Sequence, residues 1–336
     1  MTKILVVGAG AIGGITAARL SQAGVNVAVL DNDAEHIQRL TNPGLHLQSP
    51  DGSTTTVPVN GYTGADQLPD RYDAALLTLK APAIESVVTD LVSHTRIDAL
   101  VSLGNGLIHD QVEELARHIP VIRGVVEWGA TNHGPGVLEQ TTDGPFILGG
   151  TSRSTQEAAE RIAATLSQAW PVTIAADIQA HIWAKLLLNT TFSGLGTVLG
   201  ATYADVIRVP EGRALALATW GEGLELTEML ALDLPNVAGI SPYDLRGPGP
   251  LVEATLDTLM QRVGPTRSSM LQDIERGRRT EARWINGGVR RVADQLGGEV
   301  PCNAAIEGSI ADFELGRTQP GPNSLTKLHS SLFESN

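Results

Sequence analysis

The chain has 336 residues, of which 42% are hydrophobic and 18% charged, and a formal net charge of −13. This length leaves room for two domains with buried cores, and the composition is that of a globular protein. The acidic excess argues against nucleic acid as a partner, since phosphate binding draws on clustered Lys and Arg, and no apolar stretch approaches the roughly 20 residues that span a bilayer.

Cysteine and histidine usage narrow the chemistry further. The single cysteine, Cys302, excludes an internal disulfide framework, and the sequence enters an apolar strand at Lys3 with no room for a leader. A cytoplasmic protein without membrane contact is expected. Cys302 follows Pro301 ahead of an apolar-patterned helix, which reads as a small buried residue and not a nucleophile. The eight histidines are scattered, and no metal site is expected.

The first element carries the most information. Ile4 to Val7 read as a buried strand running into Gly8-Ala9-Gly10-Ala11-Ile12-Gly13. A helical pattern follows over residues 15–22, then Gly24, then a second buried strand over residues 25–30 that ends in Asp31. This is a complete βαβ unit with an acid at the tip of its second strand, the pattern of a dinucleotide site. Gly8 permits the tight turn, Gly10 lets the backbone approach a pyrophosphate, and Gly13 allows the helix to pack closely on the strand. The helix N-terminus at Ala11 and Ile12 offers N–H donors and the positive end of its dipole to the phosphates. Asp31 suits the ribose hydroxyls. An additional 2′-phosphate beside it would be opposed, because two like charges ~4 Å apart repel by about 4 kcal/mol at an effective dielectric near 20. The stretch Asp31-Asn32-Asp33-Ala34-Glu35 has three acids and no base to hold that phosphate, so the site leans towards NADH within a general NAD(P)H assignment; the nearest Lys or Arg further along is Arg39.

Strand and helix continue to alternate. Residues 74–79 read as strand, 84–92 as helix, 99–103 as strand, 110–118 as helix and 121–126 as strand. Past Gly134-Pro135-Gly136 two short segments, 137–140 and 146–148, look like a hairpin, followed by a helix at 155–168 and a strand at 172–175. Such alternation implies a doubly wound, mostly parallel sheet of Rossmann type. From about Asp177 strand signals vanish. Helical patterns run at 178–193, 204–207, 212–231, 251–263, 283–296 and 301–316, with Gly/Pro-rich loops between them. The expected organisation is therefore a dinucleotide-binding domain over 1–176 and an all-helical domain over 177–336. Trp220 and Leu224 lie on patterned faces that suit either a homodimer interface or a monomer core. The tail beyond Thr318, rich in Gly, Pro, Ser and Asn, reads as frayed.

One helical pattern carries polar residues in register. Lys185, Asn189 and Ser193 fall at i, i+4 and i+8 in an otherwise apolar segment, sharing one face. A lysine placed there costs free energy to bury unless it is partnered or functional; a solvated stripe is the plainer reading.

The full pattern resembles the ketopantoate reductase family. The residues that carry it are Gly8-x-Gly10-x-x-Gly13, Leu79-Lys80-Ala81, Gly104-Asn105-Gly106, Gly134-Pro135-Gly136, Trp183-x-Lys185-x3-Asn189, and Ser268-Ser269-Met270-Leu271-Gln272-Asp273-Ile274 followed by Thr280-Glu281 and Ile285-Asn286-Gly287. The resemblance implies reduction of a 2-oxo acid to a 2-hydroxy acid by hydride from a nicotinamide. It implies Lys185 as general acid, Glu281 as the carboxylate that holds that lysine and the substrate hydroxyl, and Asn189 and Ser269 as substrate ligands. It also puts Asn105 beside the nicotinamide ribose and Lys80 near the same site. Ser193 departs from the family, which often has a second asparagine there for the polar tail of ketopantoate, so another branched 2-oxo acid is a candidate substrate. The residues themselves leave Ser269 open as a helix cap and Asn105 as a turn residue. An opine- or imine-type dehydrogenase and a non-catalytic NAD(P) sensor remain the alternatives.

Overall fold

The computed structural model describes residues 2–334. Residues up to Gly104 with Ile108–Ile178 form one compact unit; Asn105–Leu107 with the residues from Gln179 onward form the other.

Eight strands build the main sheet of the first unit: β1 (Lys3–Val7), β2 (Asn26–Leu30), β3 (Asn60–Tyr62), β4 (Ala74–Leu77), β5 (Leu100–Ser102), β6 (Val121–Val126), β7 (Phe146–Gly149) and β8 (Val172–Ile174). Their order in space is β3-β2-β1-β4-β5-β6-β7-β8, and every neighbouring pair is parallel except β6 with β7. Ile4, Leu5, Val6 and Val7 are all fully buried, as expected of a parallel strand covered on both faces. The strand order reverses between β1 and β4, so the carboxyl ends of these two strands define the switch point where such sheets bind ligands. Helices α1 (Ala11–Gln22), α2 (Ala34–Arg39), α3 (Ile84–His94), α4 (His109–Ala116) and α5 (Arg153–Leu166) accompany the sheet.

The hairpin expected at 137–140 and 146–148 is not formed. Val137–Gln140 instead pairs with Ala130–Gly134 and, in parallel, with Leu45–Gln48, which in turn pairs with Thr54–Val57. These four strands make a separate sheet, while β7 joins the main sheet beside β6. The reason is burial. Phe146, packed edge-on to Trp128 and Trp170, belongs to the main core together with Leu148.

The second unit is helical: α6 (Ile178–Leu188), α7 (Gly194–Leu199), α8 (Tyr203–Arg208), α9 (Pro210–Met229), α10 (Pro250–Val263), α11 (Ser269–Glu275), α12 (Asn286–Leu296), α13 (Pro301–Glu314) and α14 (Pro322–Phe333). Pro210, Pro250, Pro301 and Pro322 all sit in first turns, where a missing N–H costs no helical bond and the fixed φ suits the helix. Trp220 and Leu224 lie in the core of this unit at 1% and 0% exposure. The Trp220 indole N–H donates to the Pro242 carbonyl at 2.9 Å, so these two residues serve the core and not an outer face. Burial, then the neighbouring Glu222 carboxylate, raises the Cys302 thiol well above its ordinary pKa, consistent with a packed and unreactive side chain.

The tail is not frayed where it is described. Residues 335–336 lie outside the described residues, but Pro322–Phe333 is helix α14, packed on α7, α9 and α13. Leu325 and Leu328 enter the core at 1% and 5% exposure. Replacing Leu325 by Ala should therefore cost about 2–5 kcal/mol, read as a fall in Tm by calorimetry. Leu315→Ala, at a position 63% exposed, should shift stability by no more than about 0.5 kcal/mol.

Candidate active site

The turn that joins β1 to α1 is held from several directions. The Gly8 N–H donates to the Leu30 carbonyl at 2.8 Å. The Thr78 hydroxyl, just past β4, donates to the carbonyls of Val7 and Gly8 at 3.0 and 2.7 Å. Gly8 has φ +94°, a conformation that residues with a Cβ rarely adopt. A Cβ on Gly13 would lie 1.9 Å from the Gly8 carbonyl oxygen, whereas one on Gly10 would meet nothing within 4 Å. Gly13 is thus the packing glycine, and Gly10 faces open space. No side chain caps the N-terminus of α1, so the first-turn amides at Ala11 and Ile12 are of the kind that an anion takes up.

Asp31, half-buried at the end of β2, accepts from the Ala9 N–H at 2.7 Å with one oxygen and from the Asp33 N–H at 2.9 Å with the other. Its carboxylate is fixed beside the glycine turn. Asn32 and Arg39 are exposed. Lys80, also exposed, precedes the short 3-10 turn Ala81–Ala83, whose last N–H returns to the Lys80 carbonyl at 3.0 Å. The glycine turn, the anchored acid and the uncapped helix fit a dinucleotide.

The second unit gathers the other polar residues. Lys185 is half-buried one turn before the end of α6. The helix expected at 178–193 changes character at Asn189: residues Asn189–Ser193 form a π-turn that runs on into α7. Such single π-turns inside helices recur at functional sites. Asn189 is half-buried, and Ser193 is buried at 7% exposure. The Ser193 hydroxyl donates to Asn189 Oδ1 at 3.5 Å and lies 2.6 Å from the Tyr203 hydroxyl. Burial holds the Tyr203 phenol above its usual pKa. The Thr197 hydroxyl donates to the Ser193 carbonyl at 2.7 Å and meets the Ser268 hydroxyl at 2.9 Å.

Glu281 is 3% exposed. It sits in the turn preceding α12, which begins at Asn286 and not at Arg283. Its neighbour Thr280 is tied to Glu314 Oε1 through the backbone N–H at 2.7 Å and the hydroxyl at 2.6 Å. Asn105 Nδ2 donates to Glu281 Oε2 at 3.2 Å, so Asn105 is more than a turn residue. Gly106 makes the approach feasible. Its φ is +76°, and a Cβ there would stand 2.5 Å from the Trp284 carbonyl oxygen, to which the Leu107 N–H donates at 2.9 Å.

The structure therefore joins Asn105 to Glu281 and Asn189 to Ser193. Ser269 is exposed at the first position of α11, and the cap is Ser268, accepting from the N–H groups of Met270 and Leu271 at 3.1 and 3.4 Å. Tyr203, Thr197 and Thr78 escaped the sequence reading, and Ser268 entered it only as part of a motif, without a role. Only Thr78 had a usable signal, a hydroxyl just after a buried strand.

Two family models match in order along the chain: "Ketopantoate reductase PanE/ApbA" over residues 4–153 and "Ketopantoate reductase PanE/ApbA C terminal" over residues 177–313. A 2-dehydropantoate 2-reductase of Pyrococcus horikoshii is 26% identical over 306 residues, covering 90% of this chain and 94% of the relative. Among solved structures, a PanE/ApbA-family ketopantoate reductase from Ralstonia eutropha superposes with TM-score 0.81 at 23% identity, covering 94% of this chain and 99% of that one. D-mandelate dehydrogenase, solved with NADH and anilino(oxo)acetate, gives 0.79 at 23% identity over the same shares of each chain. Matched in both halves, the chain belongs to the ketopantoate reductase family of NAD(P)-dependent oxidoreductases.

Proposed function

We propose that this protein reduces a 2-oxo acid to the 2-hydroxy acid with NADH as the favoured coenzyme, and that Lys185 is the general acid. The observation that carries this reading is the Glu281 carboxylate, buried at 3% exposure and hydrogen-bonded by Asn105, in the unit that also presents Lys185. A buried carboxylate is costly unless matched by donors and a cation, and an ammonium beside it stays protonated and held in place.

Bound NAD(P)H supplies the hydride that reaches the ketone carbon. The Lys185 ammonium faces the negative charge that develops on the ketone oxygen, stabilises it, and gives up a proton to it. The Asn189 amide and the Ser269 hydroxyl donate to the substrate carboxylate without adding full charge, and Asn105 aligns Glu281. Gly10, Ala11 and Ile12 take the pyrophosphate on a turn that Gly8 shapes and Gly13 packs against the strand, with Lys80 close to the same site. The lean towards NADH rests on Asp31, whose carboxylate is anchored by two backbone N–H groups, and on the absence of a cationic side chain at Asn32.

The substrate is set apart from ketopantoate by one contact. The Ser193 hydroxyl is engaged by Tyr203 at 2.6 Å and by Asn189 Oδ1 at 3.5 Å, leaving little polarity at this position for a hydroxylated substrate tail. A branched or bulky 2-oxo acid with an apolar side chain fits better than ketopantoate itself.

With a panel of 2-oxo acids, kcat/KM should be higher for NADH than for NADPH, and Asn32→Arg should narrow that ratio. A wild-type preference for NADPH would remove the role given to Asp31. Lys185→Ala should lower kcat by at least about 10²-fold while the Kd for NADH, followed by fluorescence, stays nearly constant. Undiminished turnover would take Lys185 out of the reaction. Ser193→Asn should raise kcat/KM for ketopantoate relative to an unhydroxylated branched 2-oxo acid, in initial-rate assays.

A further inference from the structure

We infer that His36 is a positioning residue for the coenzyme: its imidazole fixes the peptide plane between Ala9 and Gly10, and so aims the Gly10 N–H at the pyrophosphate. The inference rests on the dinucleotide reading of the glycine turn.

His36 lies in the first turn of α2, with its own N–H donating to the Asp33 side chain at 3.0 Å. The ring is 3% exposed, and both nitrogens are engaged. Nδ1 accepts from the Gly136 N–H at 2.9 Å. A backbone amide can only donate, so Nδ1 carries no proton, and the proton resides on Nε2. Nε2 then donates to the Ala9 carbonyl at 2.7 Å. The Gly136 amide thus dictates the tautomer, and the tautomer makes the ring a donor towards the glycine turn.

The Ala9 carbonyl belongs to the same planar peptide as the Gly10 N–H, and in a trans peptide the two point in opposite directions. Holding the carbonyl towards His36 turns the Gly10 N–H the other way. Gly10 is exposed, and a Cβ placed on it would meet nothing within 4 Å. The preceding peptide is held as well, because the Ala9 N–H donates to Asp31 Oδ2 at 2.7 Å. Both peptides flanking Ala9 are therefore set by side chains that follow β2. Gly136, on the far side of the ring, is itself anchored, since its carbonyl accepts from the His46 N–H at 2.8 Å. Without His36 the Ala9–Gly10 peptide loses its restraint and can rotate, so part of the binding energy goes into re-ordering it.

Two amide isosteres separate this role from simple packing. Asparagine places its amide near Nδ1, where its oxygen can still accept from Gly136 but nothing reaches Ala9. Glutamine places an amide nitrogen near Nε2 and can still donate to the Ala9 carbonyl. The readouts on the full-length protein are Kd for NADH and for NADPH by fluorescence titration, the KM for a 2-oxo acid at saturating coenzyme, and Tm without coenzyme. His36→Asn should weaken NADH and NADPH by the same factor, about tenfold, the scale of one lost hydrogen bond. His36→Gln should bind both within about threefold of wild type, and the KM for the 2-oxo acid should stay put in both variants. Asparagine binding coenzyme as wild type does, or glutamine proving as weak as asparagine at matched Tm, overturns the inference and leaves the dinucleotide reading intact. Wild-type protein that binds neither coenzyme overturns both.

Discussion

The whole arrangement depends on a short backbone turn whose polar groups are clamped from outside. Between β1 and α1, the Gly8 N–H is bonded to Leu30, the Gly8 carbonyl to Thr78, the Ala9 N–H to Asp31 and the Ala9 carbonyl to His36. A glycine-rich segment loses more conformational freedom on folding than any other, and four separate restraints offset that loss before a ligand arrives. The clamps come from the ends of β2 and β4 and from α2, the elements flanking the point where strand order reverses. The same topology that opens a crevice there also supplies the groups that stiffen its floor.

The helical unit solves a different problem, that of placing polar side chains in a helix whose surroundings are apolar. Within the π-turn at Asn189–Ser193 the Thr190 carbonyl accepts from Asn286 Nδ2 at 3.0 Å; that amide also donates to Asn303 Oδ1 at 3.0 Å. Asn303 in turn is held by Glu222, to which it donates from Nδ2 at 2.8 Å. Buried polar groups linked in this way rigidify a core, and within this network Asn286 Oδ1 is the buried atom left without a hydrogen-bond partner among the described residues. Lys185 and Asn189 are thereby presented by a helix whose irregular turn is braced from behind.

Much of this was legible from sequence because the physical signals are local. The βαβ unit announces itself through four consecutive apolar residues, three glycines in register and a terminal acid, all within 31 residues. The small sheet was missed because its strands pair across long separations. Leu45–Gln48 alternates buried and exposed residues as a half-buried strand should, yet its partner Val137–Gln140 lies far along the chain. Proximity in sequence suggested pairing that strand with Phe146–Gly149, and the aromatic cluster of Trp128, Phe146 and Trp170 drew that segment into the other core instead. At the site, Asn105 and Glu281 were named from family likeness, but their hydrogen bond spans the chain and depends on a backbone approach at Gly106 that no spacing rule reveals. The π-turn was invisible for a similar reason: helical periodicity does not record one displaced bond. α14 was misjudged because its composition resembles a linker, although Leu325 and Leu328 carry the helical repeat.

The Glu222 carboxylate also limits how this sequence can change. It receives the backbone amides of Cys302 and Asn303, at 2.6 and 3.0 Å, in addition to the Asn303 side chain. Three donors already converge on it, so a neutral amide in its place would set a fourth donor against them. A shorter acid would draw back from a helix start that is fixed by Pro301. Drift at this position is therefore constrained to occur jointly with residues 286 and 303, and homologues that vary here should do so as a set of coordinated exchanges spread over three helices.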